Sequence, residues 1–169
     1  MSVRDLIFDL DQLDFSRIVA DAEEIRRYNP QRHEMEQLTA IIYDDAVRGV
    51  CAGYKDIGAD EFWCRGHMPG MPLMPGVILC EAAAQLCSYF VQKHDMMGAE
   101  IMGFGGMDDV RFRGVVRPGD RLVIAAEKLS LRRGAMVRCR FQAFVNGSMV
   151  CEGKIQGIPL PVAVLRGQE

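Results

Sequence analysis

The sequence predicts an α+β fold in which one long apolar helix packs against an antiparallel sheet. Two observations carry that expectation. Residues 77 to about 93 are almost continuously apolar or small at helical length, and from residue 101 the chain turns to alternating, β-branched runs broken by turn residues. A helix so apolar must be buried, and a sheet wrapped around it is the cover the rest of the chain can supply. The length of 169 residues suits one domain with a single sizeable core. The expected organisation over 1–169 is an N-terminal helical segment at 1–30, a loop and central helix at 66–93, and a β-meander at 101–157.

Each element has its own signal. In "DFSRIVADAEEIRRYNP" Asp14 or Ser16 can cap a helix, Ile18, Val19, Ala22 and Ile25 share a face, and Asn29-Pro30 stops it. "LTAIIYDDAVRGVCAGYK" reads as two short β-like runs around Asp44-Asp45. The C-terminal strands are "IMGFGGMDDVRFRG", "DRLVIAAEKLSLRR", "AMVRCRFQAFVNG" and "SMVCEGKIQGI", with Asn146-Gly147 as the strongest hairpin signal.

The composition is that of an ordinary soluble chain: 49% hydrophobic, 25% charged, net charge −3. No run approaches the roughly 20 apolar residues of a membrane span, so no membrane insertion is expected. "MSVRDLIFDLDQLDF" is acidic and lacks the basic start and apolar stretch of a signal peptide. Cysteines stand at 51, 64, 80, 87, 139 and 151 with no C-x-x-C, which reads as reduced thiols in a cytoplasmic protein. There is no G-x-S-x-G, metal-ligand cluster or Gly-rich phosphate loop, so neither cofactor nor metal is expected, and no nucleic-acid partner. Charge is uneven. Residues 1–60 hold thirteen acidic and seven basic side chains, whereas residues 111–140 hold nine basic and two acidic. Such a basic stretch suits an anionic partner or a solvated strand face equally well.

Chemistry concentrates in "GHMPGMPLMPGVILCEAAAQ", residues 66 to 85. His67 is the side chain best suited to move protons near neutral pH. Pro69, Pro72 and Pro75 stiffen the loop that holds it. Gly76 opens the helix, where the free N–H groups of the first turn point outward and can receive an anion. Within the helix only Glu81, Gln85, Ser88 and Gln92 are polar, on one narrow stripe. By geometry alone that stripe is the solvent edge of the helix twice as readily as a site. His94 is expected to meet the C-terminal dipole of the helix, His33 lies in a region of its own, and Cys80 reads as a structural thiol.

The same stretch resembles the active-site signature of the 3-hydroxyacyl-[acyl-carrier-protein] dehydratases of dissociated fatty-acid synthesis. Their pattern runs from a histidine through phenylalanine-proline and proline-glycine to glutamate-alanine-x-alanine-glutamine. Met68 stands where phenylalanine is usual. "DEFWCRGH", "MDDVRFRGVVRPGDRL" and "AEEIRRYNPQR" resemble the flanking segments, and the similarity covers about residues 20–157. Two departures stand out: Pro30-Gln31-Arg32 replaces proline-histidine-arginine, and "EMEQLTAI" replaces leucine-leucine-valine-aspartate. In that family the strand replaced here by "EMEQLTAI" lies away from the chemistry, so its divergence is expected to bear on substrate choice rather than on mechanism.

The resemblance implies the hot-dog fold and loss of water from a (3R)-3-hydroxyacyl thioester to give the trans-2-enoyl thioester. It implies His67 as base at the α-carbon, N–H groups at Gly76 and Val77 for the carbonyl oxygen, and Glu81 assisting the leaving hydroxyl, with Pro75 and Gln85 in support. Whether Glu81 gives a proton or orders a water stays open. The resemblance also implies a homodimer whose sites combine the histidine of one subunit with the carboxylate of the other, or a trimer of such dimers. Its substrate would arrive on an acidic acyl carrier protein, for which Arg111, Arg113, Arg117 and Arg121 are the docking candidates, then Arg132 and Arg133. A dehydratase that also isomerises would carry aspartate in place of Glu81. A thioesterase and a non-catalytic acyl-binding protein are two further activities this fold could host.

Overall fold

In the computed structural model, which describes residues 6–167, all six strands join one antiparallel sheet. They are β1 (Ala40–Asp45), β2 (Val50–Asp56), β3 (Met102–Phe112), β4 (Arg121–Arg132), β5 (Met136–Val145) and β6 (Ser148–Pro159), in the spatial order β1-β2-β4-β5-β6-β3. Three helices accompany them: α1 (Ala22–Arg26), α2 (Gly76–Lys93) and α3 (Val162–Leu165). Among the described residues no helix is long and apolar enough to cross a membrane.

The main core lies between α2 and one face of the sheet. Leu79, Ala82, Ala83, Leu86 and Phe90 of the helix pack with Ile41, Cys51, Leu122, Ile124, Phe141 and Ile155. The helix comes close because Gly53 leaves room for it. A Cβ there would sit 2.7 Å from the Ala40 carbonyl oxygen and 3.3 Å from Leu86 Cδ1. The opposite face of the sheet is covered too. An N-terminal strap brings Ile7, Phe8 and Leu13 over Ile42, Ala52, Tyr54, Val123, Ala125 and Phe144. It is pinned where the Ile7 N–H donates to Gln142 Oε1 at 2.8 Å. Cover on both faces explains why residues 122–126 of β4 are apolar without alternation.

Asn146 and Gly147, at φ 49° and 75°, form the two-residue hairpin turn expected between β5 and β6. The first helix is much shorter than its apolar spacing suggests. Asp21, not Asp14 or Ser16, caps it by accepting from the Glu24 N–H at 2.9 Å. The β-branched residues before that cap go to the sheet instead: the Val19 N–H donates to the Ile41 carbonyl at 2.8 Å, and Ala20 bridges Ile41. The expected helical segment over 1–30 therefore reduces to a 3₁₀ turn at Leu10–Gln12 and the five residues of α1, while residues 1–5 lie outside the described residues.

The expected meander over 101–157 is also corrected. β4, β5 and β6 follow one another as hairpins, but β3 leaves that sequence and pairs with β6 at the far edge. The place beside β4 is taken by β2, whose Ala52 registers with Ala125.

Candidate active site

His67 sits on a loop tied down from both ends. Its N–H donates to the Trp63 carbonyl at 2.8 Å, its carbonyl accepts from the Leu73 N–H at 2.9 Å, and the Met74 N–H donates to the Val116 carbonyl at 2.8 Å. Trp63 and Met74 are buried, so both anchors belong to the core. The imidazole is half-buried, and its Nδ1 lies 2.9 Å from the Leu73 carbonyl oxygen. A carbonyl only accepts, so Nδ1 bears a proton and the tautomer this bond selects has its lone pair at Nε2. That is the tautomer a base needs.

The loop passes directly into α2. The Pro75 carbonyl accepts from the Ile78 and Leu79 N–H groups at 2.9 and 3.1 Å. The N–H groups of Gly76 and Val77 head the helix ahead of those bonds, at its positive end. Gly76 has a steric reason to be glycine: a Cβ would stand 2.7 Å from the Phe112 ring, which leans over the helix start.

One turn further in, Glu81 is half-buried and its Oε1 accepts from Gln85 Nε2 at 2.7 Å and from Gln31 Nε2 at 3.4 Å. Gln85 is only 2% exposed. Its Nε2 also donates to the Met35 carbonyl at 2.6 Å, and its Oε1 accepts from the Gln37 N–H at 2.8 Å. The polar stripe of α2 is therefore not a solvent edge, since Gln85 and Ser88 are both buried. Gln31 reaches the carboxylate itself, and Met35 and Gln37, from the "EMEQLTAI" stretch expected to lie away from the chemistry, hold Gln85 beside it, which corrects that stretch's expected place. A cavity of about 60 Å³ runs beside the helix, lined by Gln31, Glu81, Ser88, Met102 and Phe104 among others. His67 does not line it, and the histidine and Glu81 share no hydrogen bond or ion pair among the described residues.

The other candidates separate clearly. His94 follows the last turn of α2, but its firm partner is Asp44, with Nε2 2.6 Å from Oδ1. His33 is exposed on a 3₁₀ turn. All six cysteines are free; Cys80 is buried, and burial pushes the Cys51 thiol up. Much of the basic stretch is spent on internal pairs. Arg113 meets Glu152, Arg121 grips Asp56 at 2.6 Å while stacking over Tyr54, and Arg133 meets Asp95 at 2.8 Å. Among the described residues Arg111, Arg117 and Arg132 form no ion pair. Arg117 adjoins Val116, the residue that anchors the histidine loop.

The FabA-like domain family matches residues 29–154, a span that includes the loop, α2 and most of the sheet. A 3-hydroxyacyl-[acyl-carrier-protein] dehydratase FabZ of Caldicellulosiruptor saccharolyticus is 40% identical over 103 residues, covering 61% of this chain and 73% of the relative. The FabZ of Mannheimia succiniciproducens is 35% identical over 138 residues, covering 81% and 91%.

The chain belongs to the FabA-like dehydratase family.

Solved structures agree on the fold of this dehydratase. The dehydratase heterocomplex ApeI:P from Xenorhabdus doucetiae superposes with a TM-score of 0.67 at 16% identity, over 84% of this chain and 95% of that one. Cj0977, a sigma28-regulated virulence protein of Campylobacter jejuni, gives 0.65 at 16% identity over 88% and 96%. The architecture is the hot-dog fold, a long helix wrapped by an antiparallel sheet.

Proposed function

We propose that this dehydratase removes water from a (3R)-3-hydroxyacyl chain carried as a thioester on an acyl carrier protein, giving the trans-2-enoyl thioester. Nε2 of His67 takes the proton beside the thioester carbonyl. The N–H groups of Gly76 and Val77 meet the charge that develops on the carbonyl oxygen, and Glu81 attends the departing 3-hydroxyl. Acid–base groups of this kind contribute about 10²–10⁴ in rate, and an oxyanion donor about 10²–10³. The observation that carries the reading is the hydrogen bond of His67 Nδ1 to the Leu73 carbonyl, which fixes a basic Nε2 one loop away from the unshared N–H groups of α2.

The working unit in this reading is a homodimer in which His67 of one subunit faces Glu81 of the other. The absence of His67 from the Glu81 cavity favours it. So does β3, an eleven-residue edge strand with Phe104, Met107 and Phe112 exposed. The strap occupies the outer face of the sheet, so a trimer of dimers would need other surfaces. Arg117 and Arg111 become the first choices for carrier docking, because Arg113 and Arg121 are already paired.

The test is dehydration of 3-hydroxybutyryl thioester by the purified protein, followed by enoyl absorbance. His67→Ala should abolish turnover, and Glu81→Gln should lower it about 10²-fold or more. Near wild-type turnover in His67→Ala would refute the base, and full activity in Glu81→Gln would return that carboxylate to a structural role. Thiol release without enoyl formation would favour a thioesterase.

A further inference from the structure

The geometry points to Gln31 as a positioning residue that orients Glu81 through its side-chain amide, a role that rests on Glu81 being the carboxylate of the reaction. Gln85 and Gln31 both donate to the same oxygen, Oε1, at 2.7 and 3.4 Å. Among the described residues no donor meets Oε2, so the pair of amides selects which oxygen is left for the substrate. Gln31 also lines the cavity beside Glu81, which puts its amide at the wall of the groove rather than behind it.

The amide is held in place by an unusual amount of structure for a half-buried loop residue. Pro30 restricts the backbone just before it. The Arg32 guanidinium then gathers three carbonyls, those of Asn29, Gln31 and Arg26, at 2.8, 2.6 and 3.0 Å. Asn29 Nδ2 donates to the Gln85 carbonyl at 2.9 Å, tying the same segment to α2. The outcome is a preorganised donor at the end of a pinned loop. Gln31 Oε1 is buried without a hydrogen-bond partner, so nothing on that side competes to turn the amide. Fixing a carboxylate's rotamer before substrate arrives lowers the cost of reaching the reactive geometry, and affects turnover more than affinity.

A double-mutant cycle on 3-hydroxyacyl thioester dehydration tests this. Gln31→Leu, close in size but without a donor, should lower kcat about threefold to tenfold and leave KM within about twofold, as expected for one lost hydrogen bond. In a Glu81→Ala background the same change should matter less than about twofold, because the oxygen that accepts the Gln31 amide is gone. Gln31→His keeps an N–H donor and should recover most of kcat. It should also add an ionisation between about pH 5 and 8 to the kcat profile, which a purely structural role would not produce. Wild-type kcat in Gln31→Leu would overturn the inference, as would an equal loss in both backgrounds. Full activity in Glu81→Gln alone would instead overturn the reading of Glu81 on which it rests.

Discussion

At the scale of single residues, Gln85 and His67 illustrate opposite degrees of legibility. His67 and Glu81 stood out in the sequence because each is chemically foreign to its surroundings: a lone imidazole among prolines, a lone carboxylate in an apolar helix. Gln85 also belonged to that stripe, but its burial did not show, since a stripe of polar residues looks the same whether it faces water or a polar network. What decides the matter is tertiary: Gln37 and Met35 arrive from forty-eight and fifty residues away to satisfy it. Gln31 was hidden for the same reason, its partner Glu81 being fifty residues distant. Gln85→Leu should therefore be costly. It leaves the Gln37 N–H buried without its partner, at about 1–3 kcal/mol, whereas the carbonyl of exposed Met35 can turn to water. A urea denaturation curve should show a loss of about 1–3 kcal/mol with an unchanged slope. A loss below about 0.5 kcal/mol would mean that water replaces the amide without strain.

At the scale of elements, α2 was fully legible and α1 was not. A run of eighteen mostly apolar residues makes α2 a helix, and its ends fall at Pro75 and His94 as the loop and the polar residues demand. The stretch before α1 offered helical spacing and β-branched side chains at once, and the open edge of β1 won residues 19 and 20. The contact of α2 with β2 yields a further expectation. At Gly53 the tightest neighbour is the Ala40 carbonyl oxygen of β1, backbone rather than a flexible side chain, with Leu86 of α2 behind it. Gly53→Ala should therefore strain the β1–β2 pairing beneath the helix and destabilise by about 1–3 kcal/mol. Thermal melting checks it directly, and an unchanged midpoint would show that β1 and β2 part easily. Gly76 differs, because only the exposed ring of Phe112 stands in the way. Gly76→Ala should leave the melting midpoint nearly unchanged while lowering kcat, with loss of both locating the effect in the fold instead.

At the scale of the whole molecule, two expectations concern partners. Mixing inactive His67→Ala and Glu81→Gln subunits should restore part of the turnover, because a mixed dimer contains one intact composite site. No recovery after confirmed subunit exchange would mean that each subunit builds its own site. For the carrier, charge reversal at Arg111 and Arg117 should raise KM for the carrier-bound substrate, most strongly at low salt, and spare a small soluble thioester. Equal losses on both substrates would place these arginines in the fold. Reversal at Arg113 or Arg121 is a poorer probe, since each would repel its own partner, Glu152 or Asp56.

The spatial order β1-β2-β4-β5-β6-β3 also has a kinetic meaning. β4, β5 and β6 are joined by short turns and can zip together locally, whereas β3 must wait until β6 exists; Asp109 of β3 meets Lys154 of β6 across forty-five residues. Loop closure of that length slows a contact relative to a hairpin. The strap is later still in these terms, since Ile7 and Gln142 are 135 residues apart. In pulsed hydrogen exchange during refolding, amides of β4 to β6 should gain protection before those of β3. Until they do, the groove beside Glu81 has no roof, and the edge that would receive a second copy has not formed. For the proposed homodimer, assembly should then follow the completion of each subunit, so that subunit mixing requires folded chains rather than nascent ones.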